Sequence, residues 1–234
     1  MRRLTIIITR SYELEIIGVL FQMNFFLTSF FYLVFAPFSA SSELETLTRN
    51  LQNKYAALTT LSADFTQSYT APNVRSRRET GRLQLKKPGK MRWDYVAPEP
   101  KQYFADGKFV YEYLPADRIA TRTSANNLND WRTPFLFLLG RGNLRRDFSR
   151  IEFSSEAPVK AGHRVLRLIP KRSSDILEVL IEVEPVSLQL SRLSFLKSGQ
   201  ARIDFLLSNV QENISLADSV FTFKLPGGVT LKQY

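Results

Sequence analysis

Residues 81–115, GRLQLKKPGKMRWDYVAPEPKQYFADGKFVYEYLP, alternate apolar and polar side chains in short runs broken by turn chemistry. Leu83 and Leu85 flank Gln84, and Pro88-Gly89 stops that run. Met91, Trp93 and Tyr95 then alternate with Arg92 and Asp94. A third run enters through Asp106-Gly107 and carries Phe109, Tyr111 and Tyr113. A period of two puts Met91, Trp93 and Tyr95 on one face of a sheet and Arg92 and Asp94 on the other. Asp-Gly between two such runs is a hairpin signal. Such a chain is built of consecutive antiparallel strands, and the remaining segments have to fit around them.

Those segments read as follows. Residues 43–61 show leucines and a tyrosine at spacings of three and four: Leu44, Leu47, Leu51, Tyr55, Leu58 and Leu61. That stripe predicts an amphipathic helix, with Glu43 and Glu45 suited to its first turn. Ala63–Thr70 is a strand, a basic loop follows from Pro72 to Arg78, and Arg82–Lys86 is the next strand. Later strands are predicted at 163–169, 176–184, 188–196 and 201–207. Leu177, Val179, Ile181 and Val183 share a face, with Glu178, Glu182 and Glu184 on a solvated one. Thr133-Pro134-Phe135-Leu136-Phe137-Leu138-Leu139-Gly140 interrupts the strands with a helix signal: Thr133 as N-cap, Pro134 at the first position, Gly140 past the end. Its residues are apolar all round, so it must be covered on every side. The expected fold is mainly β with α. The strands fit a curved antiparallel sheet whose open concave face is covered by the N-terminal helix and the central one.

The first residues are a positive end (Arg2, Arg3, Arg10), an apolar run at Phe25–Ala36 and small residues at Ser39–Ser42. This order is that of a secretory signal peptide. We expect residues 1–41 to be removed, leaving one domain over residues 42–234; an uncleaved anchor is the alternative, and Met23 an alternative start. There is no cysteine, so neither a disulfide framework nor a lipid-anchored cysteine is available. Of 32 Lys+Arg and 22 Asp+Glu, residues 1–41 hold three and two, which leaves a net charge of +9 on the rest. A basic balance favours acidic protein faces or anionic headgroups as partners.

Catalysis finds little support. His163 is the only histidine, and it reads as a surface residue near a turn. Without cysteine there is no thiol nucleophile, and no cluster has zinc-ligand spacing. No glycine-rich phosphate loop is present, and no cofactor or metal is expected. Phe65, Tyr69, Leu83, Leu85, Met91, Trp93, Tyr103, Phe109, Tyr111 and Tyr113 form an apolar and aromatic set. Either they are an ordinary core or they line a cavity.

The order L-x-L-K-K-P-G-x-x-R-W-x-Y-x-x-P at Leu83–Pro98, then Asp106-Gly107 and Tyr113, with Thr133-Pro134-Phe135 further on, resembles the LolA family of periplasmic carriers of outer-membrane lipoproteins. The resemblance extends from Ala63 (ADFTQ) to Val229 (PGGV). It implies a mainly β fold with α, a half-open, incomplete antiparallel barrel with an N-terminal helix and short lid helices over the concave apolar face, in a periplasmic protein, not an enzyme, whose apolar set takes lipoprotein acyl chains. At roughly 0.8 kcal/mol per buried methylene, a chain of about 16 carbons gains on the order of ten kcal/mol from such shelter. It implies that Thr133, Pro134, Phe135, Leu136, Leu138 and Leu139 form a lid. It also implies a latch and cargo-release role at Lys87, where many relatives have arginine, and at Arg92. Lysine keeps the charge but loses the planar five-donor fork. Lys87 would hold lid-region carbonyls. Arg141, Arg145 and Arg146, with Arg150 nearby and Arg75, Arg77 and Arg78 elsewhere, are candidate docking residues or simply solvated charge. The implied partners are an inner-membrane Lol ABC transporter and an outer-membrane acceptor such as LolB, with the carrier a monomer that binds no nucleic acid. Two other readings stay open: a related protein for another lipid or glycolipid, and a periplasmic sensor module of the same fold.

Overall fold

A computed structural model describes residues 40–125, 142–172 and 175–234. Leu44–Tyr234 make one compact unit; the preceding unit, Met1–Glu43, contributes only the first helical turn to the described residues. The signal peptide expected over residues 1–41 and the lid helix expected at Thr133–Leu139 fall essentially outside that description.

Helix α1 spans Ala40–Ala57, and twelve strands follow among the described residues. They are β1 (Thr60–Ala71), β2 (Val74–Lys86), β3 (Lys90–Ala97), β4 (Lys101–Asp106), β5 (Phe109–Leu114), β6 (Ile119–Ser124), β7 (Phe148–Phe153), β8 (Arg164–Pro170), β9 (Ile176–Val183), β10 (Leu190–Lys197), β11 (Arg202–Glu212) and β12 (Thr230–Gln233). A short helix, α2 (Leu144–Asp147), precedes β7, with Asn143 Oδ1 accepting from Arg146 N as its cap. All twelve strands lie in one sheet, in the order β12-β6-β5-β4-β3-β2-β1-β11-β10-β9-β8-β7. Every pairing is antiparallel except β12 on β6. β12 and β7 do not pair, so the sheet stays open, as an incomplete barrel requires.

The helix stripe does what its spacing demands. Leu47, Leu51, Tyr55 and Leu58 are buried against one face of the sheet, and Tyr55 Oη accepts from Leu190 N at 3.1 Å. Burial raises the pKa of that hydroxyl. The helix stops at Ala57, earlier than the stripe suggests. Leu61 belongs to β1, where it is buried by strand alternation. Beneath the helix, Phe65 of β1 is the hub of an aromatic cluster. Its ring stands edge-on to Trp93 and Tyr95, both at 4.9 Å, and Trp93 meets Phe205 at 5.3 Å. Edge-to-face pairs at these distances are favourable beyond their buried area. Gly81, opposite Phe65 on β2, makes the cluster possible: a Cβ there would lie 2.1 Å from Asp94 O and 2.7 Å from the Phe65 ring.

Two sequence readings need correction. The basic stretch is no loop, because β2 begins at Val74 and Arg75, Arg77 and Arg78 are exposed strand residues. Pairing across the long β1–β2 ladder outweighs their polarity. Glu182 is not on a solvated face either; it is fully buried. Residues 154–163 cover that side of β9, and the backbone N–H groups of Val159 and Lys160 each donate to its carboxylate at 2.9 Å. Leu177 is exposed in turn, because the pairing slips between Leu196/Glu178 and Lys197/Ile176 and gives Ile176 the core side.

Candidate functional site

Seven of the ten residues in the apolar set meet on the helix-bearing face. Phe65, Leu83, Leu85, Met91, Trp93 and Tyr103 belong to the buried cluster under α1, and half-buried Tyr69 packs against it. The other three do not join them. In β5 it is Val110 that faces this cluster, paired with Ala105. Alternation therefore sends Phe109, Tyr111 and Tyr113 to the opposite face. There Tyr111 stands across from Phe104, and Phe223 of the C-terminal segment packs at a tilt against Phe104, Tyr111 and Tyr113, with ring centroids 5.1–5.9 Å apart. The run after Asp106-Gly107 offers an aromatic at every second position and a single valine between, so apolarity alone does not reveal which parity faces the helix.

The helix-bearing face extends beyond the set. Leu166, Leu168, Val179, Ile181, Phe195, Ile203 and Phe205 continue it across β8 to β11, and Leu47, Leu51 and Tyr55 cover it from α1. The signal for Phe205 was in its own alternation with Ile203 and Leu207. What sequence could not supply was the β1–β11 pairing that puts Gln67 opposite Phe205 and makes the two halves one surface.

Lys87 lies at the end of β2 beside the last turn of α1. Its Nζ donates to Tyr55 O and, at 3.0 Å, to Ala56 O. Its ammonium therefore satisfies carbonyls that a helix C-terminus leaves without partners. Burial lowers its pKa. The carbonyls it holds belong to α1; residues 133–139, whose carbonyls it was expected to hold, lie outside the described residues. Arg92 is placed on the opposite face from Lys87's helix. Its guanidinium grips Asp94 with two bonds of 2.7 and 3.0 Å, donates to Val220 O at 3.1 Å, and lies 4.8 Å from the Phe104 ring. Arg92 thus fastens the C-terminal segment rather than sharing a site with Lys87. Asp218 is tied to Lys86 and Lys90 at 2.7 and 2.8 Å in the same segment.

The post-lid arginines are exposed but not bare. Arg145 pairs with Glu45 at 2.8 Å and Arg146 with Asp147 at 2.7 Å. Arg150 reaches Glu152 at 3.3 Å. Arg141 lies outside the described residues.

A buried polar network was missed by sequence reasoning altogether. Arg192 Nε lies 3.1 Å from Glu182 Oε2, and Arg192 Nη1 donates to Glu156 at 2.5 Å. Arg202 also holds Glu156, at 2.8 and 2.9 Å. That hydrogen bond, with help from Arg192 and against partial burial, pulls the Glu156 carboxyl down to about 2. His163 Nδ1 lies 3.0 Å from Ser191 Oγ at the edge of this network, so the single histidine is mostly enclosed rather than a surface residue. The network fastens residues 154–163 to the sheet. No group of three or more metal-ligating side chains is assembled among the described residues. Nor is any described helix long and apolar enough to cross a membrane.

With this geometry in place, comparison with known proteins is informative. The family model for outer membrane lipoprotein carrier protein LolA matches residues 56–224. The outer-membrane lipoprotein carrier protein of Histophilus somni (strain 2336) is 30% identical over 182 residues, which cover 76% of this chain and 83% of that protein. Its counterpart in Methylococcus capsulatus is 30% identical over 208 residues, covering 86% of this chain and 96% of that protein. Among solved structures, an uncharacterized conserved protein from Thermus thermophilus aligns with a TM-score of 0.53 at 11% identity, over 84% of this chain and 100% of that one. That likeness concerns the fold.

Proposed function

The chain belongs to the LolA family, and on that premise we propose that it is a periplasmic carrier that shelters the acyl chains of outer-membrane lipoproteins on its helix-bearing face. The observation that carries this reading is the apolar surface shared by β1–β4 and β8–β11, overlain by a helix whose last carbonyls are held by Lys87 and whose last turn is tied through Lys54 to Ser187 and Glu212. A surface of that kind suits a cargo whose common feature is a hydrocarbon chain, since apolar burial is non-directional. Occupation requires α1, or residues 133–139 in the role of lid, to yield to the cargo. In this reading Lys87 is the latch, acting on α1. Arg145 and Arg146 are docking groups for an inner-membrane ABC transporter, and an acceptor such as LolB receives the cargo. The protein acts as a monomer and performs no chemistry of its own.

The test is a release assay. Spheroplasts carrying a radiolabelled outer-membrane lipoprotein are incubated with the purified mature protein. A soluble one-to-one complex of lipoprotein and carrier is expected. Retention of the lipoprotein in the membrane, while an established carrier releases it, would refute the reading in favour of another lipid or of sensing.

A further inference from the structure

Strand β2 outruns the strand beside it. Its pairing with β3 begins at Thr80, opposite Ala97, where β3 ends. Pro98 follows and brings no N–H with which to extend that ladder, and Pro100 comes soon after. On its other side β2 stays paired with β1 down to Val74, opposite Ala71, and β1 is itself paired with β11 as far as Thr70. Residues 74–79 are therefore the outer strand of a projection formed by β2, β1 and β11. The main-chain N–H and C=O groups that point away from β1 there meet no strand among the described residues.

The side chains on this edge are basic. Arg75, Arg77 and Arg78 are all exposed. Arg77 stands opposite Tyr69, which packs against the cluster under α1, and Arg78 stands opposite Ser68. Neighbouring residues of a strand point to opposite faces, so the edge carries positive charge on both. Arg77 is held by Glu79 at 2.9 Å and reaches Glu99 at 3.5 Å. The side chains of Arg75 and Arg78 have no hydrogen-bond or ion-pair partner among the described residues. Glu79 is buried and also bound by Lys101 at 2.6 Å, so its charge is answered within the sheet.

An exposed edge is a template for another strand, and charged side chains decide which strand can use it. Arginines on both faces repel the same edge of a second copy, which sets self-pairing aside. The same arginines match a strand that carries carboxylates on both faces, since opposite charges across a strand pair are stabilising. A lipid headgroup would answer the guanidinium groups but not the row of main-chain donors and acceptors.

We propose that residues 74–79 are a docking edge for an acidic, extended segment of a partner protein, which adds to the sheet as a strand in the place that β3 leaves open. A segment held there lies beside Arg77 and Tyr69, at the border of the helix-bearing face. The assignment stands on the edge and its charge, and does not depend on the carrier reading.

The experiment titrates the mature protein, at low salt, with a fluorescein-labelled octapeptide of glutamate, threonine and valine that carries glutamates on both faces of its extended form. Wild type is expected to bind it, and the outward-facing amides among residues 75–78 to exchange more slowly in the complex. Arg75→Glu combined with Arg78→Glu turns two attractive cross-strand pairs into repulsive ones, so a loss of about tenfold or more is expected. Both positions are exposed, and the thermal midpoint of that variant should stay within about 2 °C of wild type. The variant should in turn prefer the same peptide with lysine in place of glutamate. N-methylation of the acidic peptide on both of its edges keeps its charge and should abolish binding. No binding of the acidic peptide by wild type, or equal binding of its N-methylated form, would overturn the proposal. Wild-type binding to phosphatidylglycerol vesicles but not to the peptide would assign the arginines to a membrane surface and overturn it as well. None of these results bears on the release assay, which tests the carrier reading separately.

Discussion

Replacing Lys87 with methionine removes the ammonium that holds Tyr55 O and Ala56 O while keeping most of the aliphatic stem. Each charge-assisted hydrogen bond is worth about 1.5–3 kcal/mol, and a cation at a helix C-terminus about 0.3–1 kcal/mol. Nζ is partly solvated, and water can replace it at one carbonyl, so the net loss is smaller than the sum, about 2 kcal/mol. For a domain of this size that corresponds to a fall in thermal midpoint of about 4–8 °C. The assay is calorimetric or circular-dichroism melting of the mature protein, with Lys87→Arg as the companion variant. Arginine retains the charge and is expected to keep most of the stability. If Lys87→Met melts within about 1 °C of wild type, then the bonds to α1 contribute nothing and the cap argument is wrong. If the carrier reading holds, the same variant should load acyl cargo faster, because less must be broken to lift the helix.

Three other perturbations probe the framework around the site. Gly81→Ala drives a Cβ into Asp94 O and the Phe65 ring, so it should destabilise by about 3 kcal/mol or more, read as a lowered urea midpoint. Arg192→Met leaves Glu182 buried with its charge opposed by N–H and hydroxyl groups and by His163 at 3.7 Å; a loss of about 3–5 kcal/mol is expected, and Glu182→Gln in the same chain should recover part of it. Because Arg202 and Arg192 hold the Glu156 carboxyl at about 2 when folded, against 4.5 ordinarily, its stabilisation is present above pH 4.5 and lost as pH falls toward 2. Glu156→Gln should therefore flatten the acid limb of stability against pH, and an unchanged limb between about pH 5 and pH 3 would disprove the assignment.

Much of the scaffold was legible in single segments. The helix stripe and the Pro88-Gly89 and Asp106-Gly107 turns are local patterns, and so is the Met91-Trp93-Tyr95 alternation. The structure places them as the patterns require, apart from the early end of α1. The errors share a cause. For Phe109, Tyr111 and Tyr113 the alternation was right and the choice of face was not. That choice depends on what covers each side, and Phe223, more than a hundred residues further on, makes the opposite face equally able to bury aromatics. Glu182 alternates like a solvent-facing residue, and only the folding of residues 154–163 onto it supplies the two N–H groups and encloses it.

The sequence by itself determined most of the strands, the Pro88-Gly89 and Asp106-Gly107 turns, the N-terminal helix and the family motif, because each rests on contacts within a few residues or on a motif read in order; local pattern reads the start of β2 as a loop and does not reveal β7. Tertiary structure alone decided which aromatics face α1, which carbonyls Lys87 holds, and that Glu182 is enclosed by residues 154–163. Those properties depend on segments far apart in the chain meeting in space, and local periodicity contains no information about which segments those are.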